Sequence, residues 1–284
     1  ERKMKIHSLK KVVIFLILLI QGPLSLSPAA AFDNSTISLF GQEEENLSRI
    51  TNGQFARRGR YKYFAFGNGS DGTCGGSLVA PKAILTAAHC AGAFDRGIVV
   101  SKYSYWQAGP LFRVTRTIVH PRYRDNGSFR YDFMILILNR PVPARVARPV
   151  CMSRRRRYRI GQRFQVLGLG SLRNDDANSY PNRLLHTAVY YHTNRYCLRE
   201  MNTTYSNYIA PEQMCGRSDN GSDTCWGDSG GPMVILGRNQ NDILVGVTSW
   251  GDDCGLTPSM YGRVAFLRNW ITSTINRWSG GQTR

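Results

Sequence analysis

Acid is scarce in this chain: 19 aspartates and glutamates stand against 37 lysines and arginines in 284 residues, a net charge of +18. Lysine is scarce too, because from Ile50 onward only Lys62, Lys82 and Lys102 are lysines and the remaining cations are arginines. There is no C-x-x-C pair, which removes the usual thioredoxin-type and zinc-ribbon signatures. Long apolar runs are missing as well. The run Val12 to Ile20 stops at nine residues before Gln21-Gly22-Pro23, whereas a membrane-spanning helix needs about 20. No internal repeat is visible. What is present, 42% apolar and 20% charged residues, suits a folded globule rather than a disordered chain.

The short apolar run has its own meaning. Behind Met4 come Lys5, Lys10 and Lys11, then Val12 to Ile20, then small residues ending at Ala29-Ala30-Ala31. This is the three-part pattern of a secretory signal, expected over residues 1–31, and it makes the protein secreted and extracellular. Seven cysteines in an oxidising compartment are expected mostly to pair, leaving one over. Asn34, Asn46, Asn68, Asn126, Asn202 and Asn220 open N-x-S/T sequons and suit a glycoprotein. Nucleic acid is excluded as a partner by export and by the lack of a recognition motif.

A polar stretch with Glu43-Glu44-Glu45 separates the signal from a change in composition at Ile50. Beyond it, short strand-like runs lie between Gly, Pro, Asn and Asp clusters: Leu78-Val79, Ala83 to Leu85, Ile98 to Val100, Val114 to Val119, Phe133 to Leu138, Phe164 to Leu167, Thr187 to Tyr190, Met233 to Leu236 and Leu244 to Thr248. Only the tail has helical spacing, through Val264, Leu267, Trp270, Ile271, Ile275 and Trp278. Many short strands with one late helix predict an all-β fold of antiparallel barrels or sandwiches.

Chemistry enters at Gly227-Asp228-Ser229-Gly230-Gly231. A serine hydroxyl needs a base to take its proton and backbone N–H groups to hold the oxyanion that forms. The pentapeptide also fits G-x-S-x-G, the nucleophile elbow of α/β-hydrolases, whose histidine follows the serine. Here His7, His89, His120, His186 and His192 all precede Ser229, which excludes that fold. His7 lies in the signal, so four histidines remain as candidate bases. His89 stands out in Leu85-Thr86-Ala87-Ala88-His89-Cys90, beside a cysteine that can hold it rigid, although an isolated histidine is more often a satisfied core residue. Asp132 opens the apolar run Phe133 to Leu138, where a carboxylate is costly without a hydrogen-bonded partner, and a histidine N–H can be that partner.

In this order LTAAHC, YDFMIL and GDSGGP resemble the three catalytic segments of the trypsin-like serine proteases of the chymotrypsin family, and the likeness runs from Ile50 to about Trp278. The resemblance implies two antiparallel six-stranded β barrels with a C-terminal helix. It also carries the family's triad mechanism, with Ser229 as nucleophile, His89 as general base and then acid, and Asp132 fixing the imidazole. The oxyanion hole falls on the amides of Gly227 and Ser229. Ser249, Trp250 and Gly251 resemble the segment that pairs with the substrate backbone. The pairings implied are Cys74 with Cys90, Cys197 with Cys215, and Cys225 with Cys254; Cys151 is left free or in an intermolecular bridge.

Counting back from Ser229 reaches Asp223, whose equivalent makes trypsin-like enzymes accept basic side chains; the alternative is a surface aspartate beside Asp219 and Asn220. Ser259 falls where trypsin has glycine, so its hydroxymethyl group should narrow the floor beside Asp223. Ser48-Arg49-Ile50 resembles an activation site, which makes 32–49 a propeptide and 50–284 the protease domain. The freed Ile50 amino group would then pair with Asp228. Gly168-Leu169-Gly170 stands for the family's Gly-Trp-Gly. Asp95 is the sole acid between Ala91 and Arg124, so the calcium loop of many trypsins is not expected, and neither metal nor cofactor is called for.

The expected function is therefore a secreted zymogen of a serine endopeptidase cutting after Arg and Lys, with protein or peptide substrates and protein protease inhibitors as partners. Arg154 to Arg157, with Arg159 and Arg163, form the densest cationic cluster. Guanidinium forks suit sulfated polysaccharide, and a solvated loop is the bland alternative. The competing function is a catalytically silent cationic family member that binds anionic surfaces.

Overall fold

Strands Phe64–Gly69 (β2), Gly72–Ala80 (β3), Ala83–Thr86 (β4), Ile98–Val100 (β5), Leu111–Phe112 (β6), Val114–Val119 (β7) and Met134–Leu138 (β8) make one sheet in the order β6-β5-β2-β3-β4-β8-β7. In this computed structural model residues 53–124, 129–173, 176, 178–201 and 210–279 are described. The signal and propeptide segments, Arg49, Ile50, Asn34, Asn46, Asn126 and Asn202 lie outside them. Among the described residues no helix is long and apolar enough to cross a membrane.

Only Arg113 separates β6 from β7, so one continuous segment pairs with β5 at its start and β8 at its end and closes the sheet on itself. β8 reads as an unbroken apolar run because all five of its residues are buried; it lies between β4 and β7 in the sheet.

The second sheet holds Gln54–Phe55 (β1), Cys151–Met152 (β9), Arg163–Gly168 (β10), Leu185–His192 (β11), Gln213–Arg217 (β12), Pro232–Ile235 (β13), Ile243–Gly251 (β14) and Ser259–Arg263 (β15). Its path β11-β10-β13-β14-β15-β12 closes because β12 also pairs with β11. The two sheets therefore contain eight and seven strands rather than six each. The excess is the two-residue pieces β1, β9 and β6, and without them six strands remain in each barrel. β9 adds in parallel to β14; the other pairings are antiparallel.

Every strand run expected from the sequence is present. β2, β12 and β15 were not expected, since glycines and polar residues interrupt their apolar pattern. Two helical segments also depart from the reading that only the tail is helical. Asn194–Glu200 (α1) buries Cys197 alone and so has no apolar stripe; its start is set by the Thr193 hydroxyl, which accepts from the Tyr196 amide at 3.2 Å. A 3₁₀ turn spans Ala88–Phe94. The expected tail helix is Val264–Ser279 (α2).

The first and last described elements cross over. β1 joins the second sheet by pairing with β11. α2 packs against β8 of the first, with Val264, Leu267, Ile271 and Ile275 buried in the same core as Met134 to Leu138.

Candidate active site

Cys74 of β3 is bonded to Cys90 in the 3₁₀ turn, which fixes the turn that carries His89 against the first barrel. Asp132 sits just before β8 and is 2% exposed. Its Oδ2 lies 2.7 Å from His89 Nδ1, and its Oδ1 accepts from the His89 amide at 3.0 Å. A carboxylate only accepts, so Nδ1 carries the proton and Nε2 is the basic nitrogen. The approach to Asp132 is strained: Phe129 and Tyr131 have φ of 45° and 54°, a region unfavourable for bulky residues. Stacking of Tyr131 on His120 and the 2.9 Å bond from Arg130 Nε to Glu212 hold that conformation.

The second barrel supplies the rest. Register slips between Thr248 and Trp250 where β14 meets β15, leaving Ser249 at a bulge. A bulge re-aims a side chain, and here the Ser249 hydroxyl donates to Asp132 Oδ2 at 2.6 Å. Ser229 is half-buried; its carbonyl accepts from Gly75 of β3 at 2.7 Å, and the next amide, of Gly230, donates to Thr248 at 2.8 Å. Glycine is required on both sides. Gly227 has φ +92° with Thr73 Oγ1 2.4 Å from where a Cβ would stand, and Gly230 has φ +76° with Thr86 Oγ1 at 2.1 Å.

His89, Gly227, Ser229, Ser249, Trp250, Gly251 and Ser259 line one cleft of about 730 Å³. Asp71, Asp252 and Asp253 line it too, and its described lining includes no lysine or arginine, on a chain of net charge +18.

Asp223 is not on the surface. It is 2% exposed, its Oδ1 accepts from the Thr224 amide at 2.7 Å and the Tyr261 hydroxyl at 3.2 Å, and its Oδ2 accepts from Ser259 Oγ at 2.7 Å. Burial pushes its carboxyl up to about 6 despite these bonds. Asp228 accepts from the amides of Gly170 at 2.7 Å and Cys225 at 3.0 Å; among the described residues it has no cationic partner, and burial pushes it up to about 7. Both native values lie above the ordinary carboxylate range. The stability linked to these groups is thus complete below about pH 4 and is lost as pH rises through about 6 and about 7.

The three disulfides are Cys74–Cys90, Cys197–Cys215 and Cys225–Cys254, and Cys151 is free. Cys74, His89 and Cys90 bring three metal-type ligand atoms together, but both sulfurs are in the disulfide and leave no thiolate for an ion. Arg154 to Arg157, Arg159 and Arg163 are all exposed; Arg155 Nε bonds back to the Arg157 carbonyl at 2.8 Å. Sequence reasoning missed several lining aromatics. Phe129 stands edge-on to His89 at 5.6 Å and stacks on Trp250 at 6.1 Å, Trp226 is 57% exposed, and Tyr180 stacks on Tyr105 at 4.2 Å. Phe129 and Trp226 are three residues from a motif residue and could have been found by that neighbourhood; nothing local marks Tyr180.

Two closed β barrels sharing a cleft with a histidine, a buried aspartate and a glycine-flanked serine define a serine peptidase. The family model described as Trypsin matches residues 50–271. Transmembrane protease serine 11E of Mus musculus is 34% identical over 211 residues, covering 70% of this chain and 48% of the mouse protein. Trypsin 5G1 of Aedes aegypti is 31% identical, covering 72% of this chain and 76% of the mosquito protein. The solved structure of neuropsin, a serine protease expressed in the limbic system of mouse brain, superposes with a TM-score of 0.68 at 29% identity, covering 78% of this chain and 98% of that one. The chain belongs to the trypsin family of serine proteases. It matches about half the length of the mouse transmembrane protease and 22% of Transmembrane protease serine 9 of Rattus norvegicus.

Proposed function

We propose that the protein is a secreted zymogen that, once cut between Arg49 and Ile50, hydrolyses peptide bonds after arginine in preference to lysine. Ser229 attacks the carbonyl, His89 takes and returns the proton, Asp132 holds the imidazole, and the amides of Gly227 and Ser229 hold the oxyanion. The observation that carries the specificity is the buried Asp223 carboxylate, which has no cationic partner among the described residues and which a substrate guanidinium can neutralise. The acidic lining of the cleft adds attraction for basic peptides.

Ser259 sets the preference. Its hydroxyl occupies the space beside Asp223 Oδ2 where a water would bridge to the shorter lysine, whereas an arginine fork reaches the carboxylate directly. Arginine should be preferred, and Ser259→Gly should reduce the Arg-to-Lys ratio of kcat/KM by about 5- to 30-fold. The measurement is kcat/KM on paired arginyl and lysyl amides; an unchanged ratio rejects the role of Ser259, and no turnover of either substrate rejects Asp223.

The titration of Asp223 gives a second expectation. Only its ionised form holds a cation, so benzamidinium affinity for the cut Ser229→Ala protein should fall about tenfold per pH unit below about 6 and level off above. Asp223→Asn should weaken binding and flatten the profile. Wild-type affinity that stays constant from pH 5 to 7.5 would exclude this carboxylate as the cation's partner.

A further inference from the structure

Two cavities outside the catalytic cleft adjoin each other. One, of about 420 Å³, is lined by Arg60, Lys62, Arg145, Arg148 and Asp242 among others; the second, of about 670 Å³, is lined by Arg58, Lys62, Lys102 and Arg145. Lys62, Arg145 and Gln240 line both, so the two adjoin as one cationic groove. Its one acid is already satisfied. Asp242 accepts a two-pronged bond from Arg60 at 2.6 and 2.8 Å, the Tyr63 hydroxyl at 2.7 Å and the Gly237 amide at 2.9 Å.

The other five cations, Arg58, Lys62, Lys102, Arg145 and Arg148, form no ion pair among the described residues. Lys102 is the most telling of them. It is only 9% exposed, its ammonium donates to the Gln107 carbonyl at 2.5 Å, and burial pulls its pKa down. A buried ammonium has three donors to satisfy and gains from an incoming anion.

We infer that this groove binds a sulfated polysaccharide chain, with Lys62, Lys102 and Arg145 as the central contacts. Two adjoining cavities with cations in each suit a chain carrying anions at intervals. Asn239, Gln240, Asn241 and Ser101 offer amides and a hydroxyl to sugar hydroxyls. A single-stranded nucleic acid would need exposed aromatic faces for its bases. Here Tyr63 is buried and Arg58 lies 6.0 Å over the ring of Tyr103. The site is separate from Arg154 to Arg157, none of which lines either cavity, and it does not depend on the peptidase specificity proposed above.

Cys151 lines the first cavity and is the free cysteine, so it reports occupancy there. A heparin-derived octasaccharide added to the full-length Ser229→Ala chain should slow alkylation of Cys151 by N-ethylmaleimide, and a desulfated octasaccharide should not. By calorimetry at physiological salt, Lys62→Ala with Arg145→Ala should weaken octasaccharide binding at least about tenfold. Alanine at all of Arg154 to Arg157 should change it less than about threefold. Lys102→Met tests the buried contact and should also weaken binding; if that variant does not fold, the exposed pair decides. In the active background, Lys62→Ala with Arg145→Ala should leave arginyl amide turnover unchanged, which separates binding from folding. Binding that survives the groove substitutions, or that follows Arg154 to Arg157 instead, overturns the site. Equal binding of the desulfated chain, or tighter binding of polyphosphate or an oligonucleotide of equal charge, overturns the ligand class.

Discussion

Replacing Ser229 with alanine is expected to lower kcat for an arginyl amide by about 10⁴- to 10⁶-fold while leaving benzamidinium binding nearly intact. The estimate follows from what a complete Ser-His-Asp unit contributes over its oxyanion hole alone. Binding should persist because the cation's proposed partner is Asp223, whose 2.7 Å bond from Ser259 does not involve the Ser229 hydroxyl. Single-turnover and steady-state kinetics with burst-phase detection measure the loss. Wild-type turnover by the alanine variant would exclude Ser229 as nucleophile, and a wild-type protein that binds benzamidinium but cleaves nothing after activation would revive the silent-binder alternative.

The second large effect concerns activation. Arg49→Gln should leave the chain uncut and its turnover reduced by about 10²- to 10³-fold for each oxyanion amide left unordered. The physical reason lies at Asp228, which is buried, accepts two amides and has no cation among the described residues. A freed Ile50 ammonium arriving there would stabilise the ionised carboxylate and draw its titration down from about 7. The cut protein should then keep stability above pH 7 that the uncut protein loses. Sequencing of active enzyme should begin Ile-Thr-Asn-Gly. A foreign protease site ending directly before Ile50 should rescue Arg49→Gln when that protease is added. Full activity of uncut Arg49→Gln would reject the mechanism.

Much of this site was legible because its residues sit in short, chemically constrained stretches. His89 follows an apolar strand and adjoins a cysteine, Asp132 precedes a wholly buried strand, and Ser229 lies between glycines whose positive φ and close neighbours would strain any side chain. Asp223 was reached by uninterrupted register from Ser229, and its position beside Ser259 depends on β12 and β15, neither of which has a strand-like pattern of its own. The strand count was less legible. Two-residue strands such as β1 and β9 exist by pairing alone and have no periodicity to detect. Phe129 and Tyr180 enter the cleft through tertiary packing. The cationic groove was hidden for the same reason: Arg58, Lys102 and Arg145 are far apart in sequence and converge only on folding, whereas the conspicuous run Arg154 to Arg157 stays exposed.

The crossing of β1 and α2 bears on how the protein is made. β1 must wait for β11, about 130 residues later in synthesis, and the first barrel's core lacks Val264, Leu267, Ile271 and Ile275 until the whole second barrel has been made. At about 5 to 20 residues per second, the ribosome therefore holds an incomplete first barrel for several seconds with the apolar surface under α2 uncovered. Long-range pairing of this kind also folds slowly. A trypsin-family chain of this design depends on its surroundings during those seconds, and the nascent first barrel, rather than the finished enzyme, is the stage at which a chaperone has most to protect.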